Sequence, residues 1–291
     1  MKLFIALLLT TSSVWSRSVV PSRTLLNPLN LYHKNNKVLE NGNVEVKAVE
    51  FSRSGSFLYN KKSVQVTKEK YDEYHSVANA VLRMVSDEWS GTGFHIGSNL
   101  ILTNNHVLDP TFANTTHCGN FRLTDYQNNK YDCKEVHYCN AEHDVCLIEM
   151  ETTHKRVDGE RKIISLAEGP SLKLKLNSRL ETINPNEEVT TAIGNSGGQG
   201  THYSQGRGIS FTHNRTYFYA PIIQGNSGGP LLNSKNQVIG VVKLQSKTLI
   251  SEDIKQTYNI ALPTDYTVNL IRQALEKNPQ ILRKFNEAVI E

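Results

Sequence analysis

Three stretches of this chain carry residue types that together could make a nucleophile. Gly225-Asn-Ser-Gly-Gly-Pro230 sets Ser227 among glycines. Glycines on both sides permit a sharp turn whose successive backbone N–H groups point one way. The N–H groups of Gly225 and Ser227 could then hold a developing oxyanion. A serine hydroxyl is a weak nucleophile at neutral pH. It needs a base, and the base needs a carboxylate to orient it. Leu100-Ile-Leu-Thr-Asn-Asn-His106 places a histidine just after an apolar run, and His143-Asp144-Val-Cys-Leu-Ile148 places an aspartate at the mouth of another. Taken singly, each has a plain structural use: a surface histidine, a capping aspartate, a glycine-rich loop. Found together in the order His106, Asp144, Ser227, they match one of the known chain orders of a hydrolytic triad. Gly194-Asn-Ser-Gly-Gly198 repeats the serine motif, but it runs on into Gln199-Gly-Thr-His-Tyr203 rather than an apolar strand. Only Ser227 has the strand context that the motif requires.

The elements around these residues read as β-structure. From Val77 onward, short runs rich in branched and aromatic residues alternate with Gly, Asn and Ser turns: Ala80–Val85, Gly93–Thr103, Phe121–Leu123, Tyr131–Tyr138, Val145–Met150, Val189–Ile193, Gly208–Thr212, Thr216–Ala220, Gln237–Leu244 and Tyr258–Ala261. That spacing predicts an all-β sandwich or barrel. Leu231–Val242 reads as a hairpin turning at Asn233-Ser-Lys-Asn236. The end differs: Thr264-Asp265 offers an N-cap, Val268, Ile271 and Leu275 recur at helical spacing, and Pro279–Val289 reads as a second helix after an Asn-Pro break.

With 291 residues, 38% apolar and 21% charged, the composition is that of an ordinary globular chain. The one dense apolar run, Leu3–Leu9, is far shorter than the roughly 20 residues a membrane-spanning helix needs. Behind Met1-Lys2 and ahead of small residues it reads as a secretory signal peptide cleaved after Ser16, which predicts a secreted or periplasmic protein with no stable membrane anchor after processing. The formal net charge is +4, and Arg17–His75 holds 10 Lys/Arg against 6 Asp/Glu. The basic excess therefore belongs to the N-terminal segment, and no Arg/Lys stripe interleaved with aromatics predicts a nucleic-acid partner. The expected organisation is signal peptide 1–16, N-terminal extension or propeptide 17–75, a main β-rich domain 76–276 that carries His106, Asp144 and Ser227, and a helical tail 277–291. Within the extension, Val44–Val49, Phe57–Tyr59 and Val64–Val66 could pack as strands against the body.

Cys118, Cys133, Cys139 and Cys146 fall within one short segment. An even count in an exported chain predicts two disulfides in one of three connectivities. Tyr131–Tyr138 and Val145–Met150 read as adjacent antiparallel strands, which favours Cys133 with Cys146 and Cys118 with Cys139. A buried free thiol at Cys146 is the other option. His117, His137 and His143 lie nearby, but no C-x-x-C spacing predicts a zinc site, and no cofactor is expected. Asn114-Thr-Thr and Asn214-Arg-Thr are glycosylation sequons.

Thr92-Gly-Phe-His-Ile96, Ile101-Leu-Thr-Asn-Asn-His-Val107, Asp144-Val-Cys-Leu-Ile148, and Gly225-Asn-Ser-Gly-Gly-Pro-Leu-Leu232 with Val238-Ile-Gly-Val-Val242 resemble the trypsin-like serine proteases. The nearest flavour is the HtrA and glutamyl-endopeptidase branch, without room for a PDZ domain. The resemblance covers about Val77 to Ala274. It implies a mostly β fold of two six-stranded antiparallel barrels of chymotrypsin type, here with C-terminal helices, and peptide hydrolysis through an acyl-enzyme. It also implies His106 as general base, Asp144 as its orienter, Ser227 as nucleophile, and the Gly225 and Ser227 N–H groups as the oxyanion hole. Protein or peptide substrates would be the partners. The pocket for the residue before the scissile bond would be lined by Pro221, Ile222, Ile223, Gln224, Val242, Lys243 and Leu244. Pro221 stands where trypsin-like enzymes carry an aspartate, and Val242 where glutamyl endopeptidases carry a histidine. An apolar pocket for small or medium side chains is what remains. No Ile/Val-Val-Gly-Gly start supports activation by an inserted N-terminus; a propeptide would instead cover the cleft or assist folding. The alternative is a binding protein on the same fold that has lost its activity.

Overall fold

A computed structural model describes residues 29–30, 36–48, 50–51, 57–58, 63–86, 89–109, 111, 117–119, 121–126, 129–151, 153–155, 161–163, 169–177, 189–195, 200–249 and 255–291. Residues 1–28 and Ser196, with the signal-peptide reading and the second serine motif's hydroxyl, lie outside them, as does Asn114.

Two curled sheets, antiparallel apart from one short strand, carry the fold. The first has seven strands, in the order Lys130–Tyr131, Arg122–Thr124, Val81–Val85, Ser90–Gly97, Leu100–Thr103, Val145–Met150 and Cys133–Asn140. Its central strands show why continuous apolar runs were needed. Val145–Met150 is buried at every position. Val145 and Leu147 face one core, and Cys146, Ile148 and Met150 face another. Leu100 and Leu102 likewise oppose Ile101. Side chains alternate across a strand, so a strand covered on both faces is apolar on both, apart from the buried Glu149, which is paired with Lys134, His137 and Lys284. The Cys146, Ile148 and Met150 face fills the inside of the first barrel with Leu82, Met84 and Leu123. The other face joins Phe94, Val241, Leu262, Val268 and Phe285 between the barrels and the C-terminal helices.

The second sheet has twelve strands. Six make the expected barrel: Val189–Gly194, His202–Phe211, Thr216–Tyr219, Pro230–Leu232, Val238–Leu249 and Lys255–Pro263. Its interior holds Ala192, Phe218, Leu231, Ile239 and Ala261. The count of six is exceeded because short strands add to its edges. Leu174–Lys175 pairs parallel with Val238 and Val289. Leu29–Asn30 pairs with His202 and Tyr203, and Val44–Ala48 joins Leu29–Asn30 to Ser63–Val66. The extension is therefore continuous with the second sheet, and Val44, Val46 and Ala48 are buried there.

Other differences from the sequence reading have local causes. Gly93–Thr103 is two strands rather than one, because Gly97, Ser98 and Asn99 all take positive φ (116°, 51° and 61°) and turn the chain. Lys68–Ala78 is a helix, capped by the Thr67 side chain and buried through Tyr74, Val77 and Ala78; it crosses the boundary expected at residue 75. The Thr264–Leu275 helix starts after Pro263, and Thr264 Oγ1 binds Val238 O at 2.9 Å instead of capping. Asn278 does cap the Pro279–Asn286 helix, accepting from Ile281 N. No helix among the described residues is long and apolar enough to cross a membrane.

Disulfides join Cys118 to Cys133 and Cys139 to Cys146, against the expected pairing. The two strands are adjacent as read, but the register decides. The 141–144 turn is short, so Cys139 lies opposite Cys146 with their Cα atoms 4.1 Å apart, and Cys133 lies opposite Met150. Cys133 is left for Cys118 at 5.7 Å. Both Cα separations suit a bridge or lie near its lower limit.

Candidate active site

His106 sits in a single helical turn, Asn105–Leu108, directly after the buried strand Leu100–Thr103. Val107 and Leu108 are buried and seat the turn on the first barrel. Asp144 closes the 141–144 turn and opens Val145–Met150 with φ 59°, a conformation short polar side chains tolerate better than branched ones. The buried Asn104 Nδ2 donates to Asp144 O at 2.8 Å and fixes the backbone at that point.

The Asp144 carboxylate is 2% exposed. It accepts from the His106 backbone N–H at 3.0 Å, and its two oxygens lie 3.0 and 2.9 Å from His106 Nδ1. An ionised carboxylate can only accept, so Nδ1 carries the proton and Nε2 is the basic nitrogen. Burial pushes the Asp144 pKa up, but the hydrogen bonds from the His106 ring and backbone N–H, with the Lys243 ammonium nearby, outweigh it and hold the group below its ordinary value.

Ser227 comes from the second barrel. Its loop turns sharply because Gly225 and Gly228 take φ of 95° and 83°. At Gly228 an added Cβ would also run into Thr92 O and Thr103 Oγ1. Gly228 N donates to Val242 O, and Val242 N to Gly229 O, each at 2.8 Å, which stitches the loop to the next strand. Gly228 also abuts Asn104, two residues before His106. Ser227 Oγ donates to Lys243 O at 2.9 Å, while Lys243 Nζ lies 3.7 Å from Asp144 Oδ2. One residue thus touches both halves of the constellation. Among the described residues, the Gly225 and Ser227 N–H groups have no acceptor, so both can bind an incoming oxyanion.

The remaining pocket residues divide. Ile222 and Val242 are buried in the second-barrel core. Pro221 and Ile223 are half-buried, and Gln224 is exposed. Leu244 lies opposite Ile260 in the ladder, and its side chain is outside the described set. The Lys243 ammonium lies beside Asp144. It borders a cavity of about 240 Å³ with Glu142, His143, Arg215 and Tyr266. Sequence reading missed Thr92, Thr103 and Asn104 as supports. Their signal was polar residues inside otherwise apolar strand ends.

The trypsin-like peptidase domain family matches residues 91–241. A glutamyl endopeptidase of Staphylococcus epidermidis is 24% identical over 216 residues, 71% of this chain and 74% of that one. Exfoliative toxin A of Staphylococcus aureus is 28% identical over 188 residues, 60% of this chain and 61% of the toxin. Among solved structures, the serine endoprotease of Yersinia pestis superposes with a TM-score of 0.52 at 20% identity, over 71% of this chain and 67% of that one, which is a likeness of fold. With the family matching just over half its length, from the Ser90–Gly97 strand into the Val238–Leu249 strand, the chain belongs to the trypsin-like peptidases and is a hydrolase of peptide bonds.

Proposed function

We propose that the protein is a secreted serine endopeptidase in which His106, Asp144 and Ser227 form the triad. The observation that carries this is the doubly accepted His106 Nδ1 contact with a buried, ionised Asp144. It leaves Nε2 as the base on a residue two positions after Asn104, which lies against Gly228 of the Ser227 loop. In the described state Ser227 Oγ is hydrogen-bonded to Lys243 O. Rotation about its Cα–Cβ bond redirects it to the base when substrate enters. The hydroxyl then attacks the carbonyl carbon, its proton passes to His106, and the oxyanion is met by the Gly225 and Ser227 N–H groups. His106 returns the proton to the leaving amine, and water releases the acyl group by the same steps.

The preferred residue before the scissile bond is small or medium and apolar. Pro221 and Val242 place neither a carboxylate nor an imidazole where relatives select charged side chains, and an apolar pocket discriminates only modestly. Export is supported by two disulfides, which persist in oxidising compartments.

A fluorophosphonate probe coupled with peptide mapping tests the assignment. Labelling at Ser227, lost in Ser227→Ala together with casein turnover, is the expected result. Activity should fall by several powers of ten. Labelling at Ser196, or none, would overturn it, and an unlabelled protein that still binds peptide would be the inactive binder.

A further inference from the structure

We infer that Thr92, on a first-barrel strand, is the positioning residue that holds the Gly225–Ser227 turn in its oxyanion-binding conformation; the catalytic part of this inference rests on the proposed triad. Thr92 lies in Ser90–Gly97 and is fully buried. Its backbone and hydroxyl make four hydrogen bonds to three other segments. Thr92 N donates to Ser227 O at 2.9 Å. Thr92 Oγ1 donates to Gly225 O at 2.6 Å and accepts from Asn195 N at 2.9 Å. Thr92 O accepts from Thr103 Oγ1 at 2.7 Å.

These bonds take hold of the two peptide carbonyls that flank the turn. A glycine at φ 95° has no Cβ to resist rotation, so the Gly225–Asn226 peptide needs an external restraint. The restraint is the Thr92 hydroxyl. The Gly225 and Ser227 carbonyls are both bound inward at Thr92, and the N–H groups of the same two residues, in the preceding peptides, have no acceptor among the described residues. The hydroxyl itself is held in place: Asn195 N donates to it, so its own proton is directed to Gly225 O. This gives the second Gly-Asn-Ser motif a structural use. Gly194 must be small because an added Cβ would stand 3.1 Å from Thr92 Oγ1 and 2.9 Å from Asn226 Cα. Asn195 is 2% exposed and supplies the N–H. The first barrel thereby supports the nucleophile's turn as well as carrying His106 and Asp144.

The test compares wild type, Thr92→Val and Thr92→Ser. Valine keeps the shape and the methyl packing but removes the hydroxyl; serine keeps the hydroxyl. Two readouts are taken, hydrogen exchange of peptides covering 193–195 and 223–229, and kcat and KM on a cleaved peptide. Thr92→Val should exchange at least about tenfold faster in both peptides. Its kcat should fall on the order of 100-fold with KM within about threefold, since one oxyanion donor is worth that much or more. Thr92→Ser should restore both. Affinity for a peptide aldehyde, whose adduct carries the oxyanion, should fall in parallel with kcat. Wild-type exchange in Thr92→Val would overturn the inference. So would faster exchange with kcat intact, or a loss in Thr92→Val that serine does not restore. Should wild type neither turn over nor label, the triad reading fails, while the exchange comparison still decides whether Thr92 restrains the turn.

Discussion

The two halves of the site are built differently. The first-barrel half is fixed by strands and charge. His106 lies just beyond one fully buried strand and Asp144 opens another, and they meet side chain to side chain at 2.9 to 3.0 Å. The second-barrel half is a loop fixed by backbone bonds. Gly225 and Ser227 are held from the other barrel by Thr92, and Gly228 is held by Val242 on the next strand. A carboxylate and an imidazole attract each other and need only correctly placed stems. A hydroxyl between two flexible glycines has no such attraction and must be gripped through its peptides. The difference teaches that the geometry of the proposed nucleophile depends on the barrel interface, whereas that of the proposed base depends on one barrel's own core.

The largest effect should come from breaking the charge-held half. Asp144→Asn keeps the volume but offers an amide that can donate to Nδ1, leaving the proton on Nε2 and the base in the wrong tautomer. The expected loss in kcat is about 10⁴-fold with the fold intact. Stopped-time peptide assays and a thermal melt measure both. A loss below about tenfold would mean that the pair is not what orients the base.

This difference also explains what was legible in the sequence. The charge-held half was readable because a buried strand announces itself by apolar letters, and a His or Asp at its end stands out against them. The sharp turn around Ser227 was readable because its glycines are demanded by positive φ. The pairing of Cys139 with Cys146 was not, since register depends on a turn length and two bulges that letters do not display. Nor was the role of Thr92. A polar letter in a buried strand flags it, but its partners Ser227 and Asn195 lie more than 100 positions away, so the letters do not show what it binds. The Lys68–Ala78 helix was hidden for a similar reason: only three of its residues are buried, so its apolar period is short.

Acid sharpens the comparison at the level of stability. In the second sheet, His202 is fully buried with Nδ1 2.9 Å from Gly200 O, and burial pushes its pKa down to about 4 despite that bond. In the first sheet, burial would raise Glu149, but hydrogen bonds from His137, Lys134 and Lys284 hold it down to about 2. Both folded values are depressed, so both contributions are present at high pH and lost on acidification. The His202 contribution, ~3 kcal/mol, fades as pH falls from about 6.5 to 4; His95, also buried and lowered, adds to the same slope. The Glu149 contribution, again ~3 kcal/mol, fades from about 4.5 to 2. Urea unfolding at successive pH values should therefore show two stages. His202→Phe should flatten the upper one and Glu149→Gln the lower. A single stage unaffected by either variant would contradict this division.

The smallest effect should come from Lys243, the residue that touches both halves. Its carbonyl accepts from Ser227 Oγ, a backbone contact that survives substitution. Its ammonium, 3.7 Å from Asp144 Oδ2 and about one-quarter exposed, is a cation that helps hold the Asp144 carboxyl below its ordinary value. Glu142, His143, Arg215 and Tyr266 border the same cavity, so the local field is mixed and only the nearest charge acts at contact distance. Removing that cation in Lys243→Met lets the Asp144 carboxyl keep its proton to higher pH. The acid limb of the stability–pH profile should move up, because the carboxylate loses a favourable charge close by. Lys243→Arg should hold the limb where it is, and added salt should shrink the gap between wild type and Lys243→Met by screening. A limb that moves down, or that does not move while kcat falls, would assign Lys243 to the serine side alone through its carbonyl.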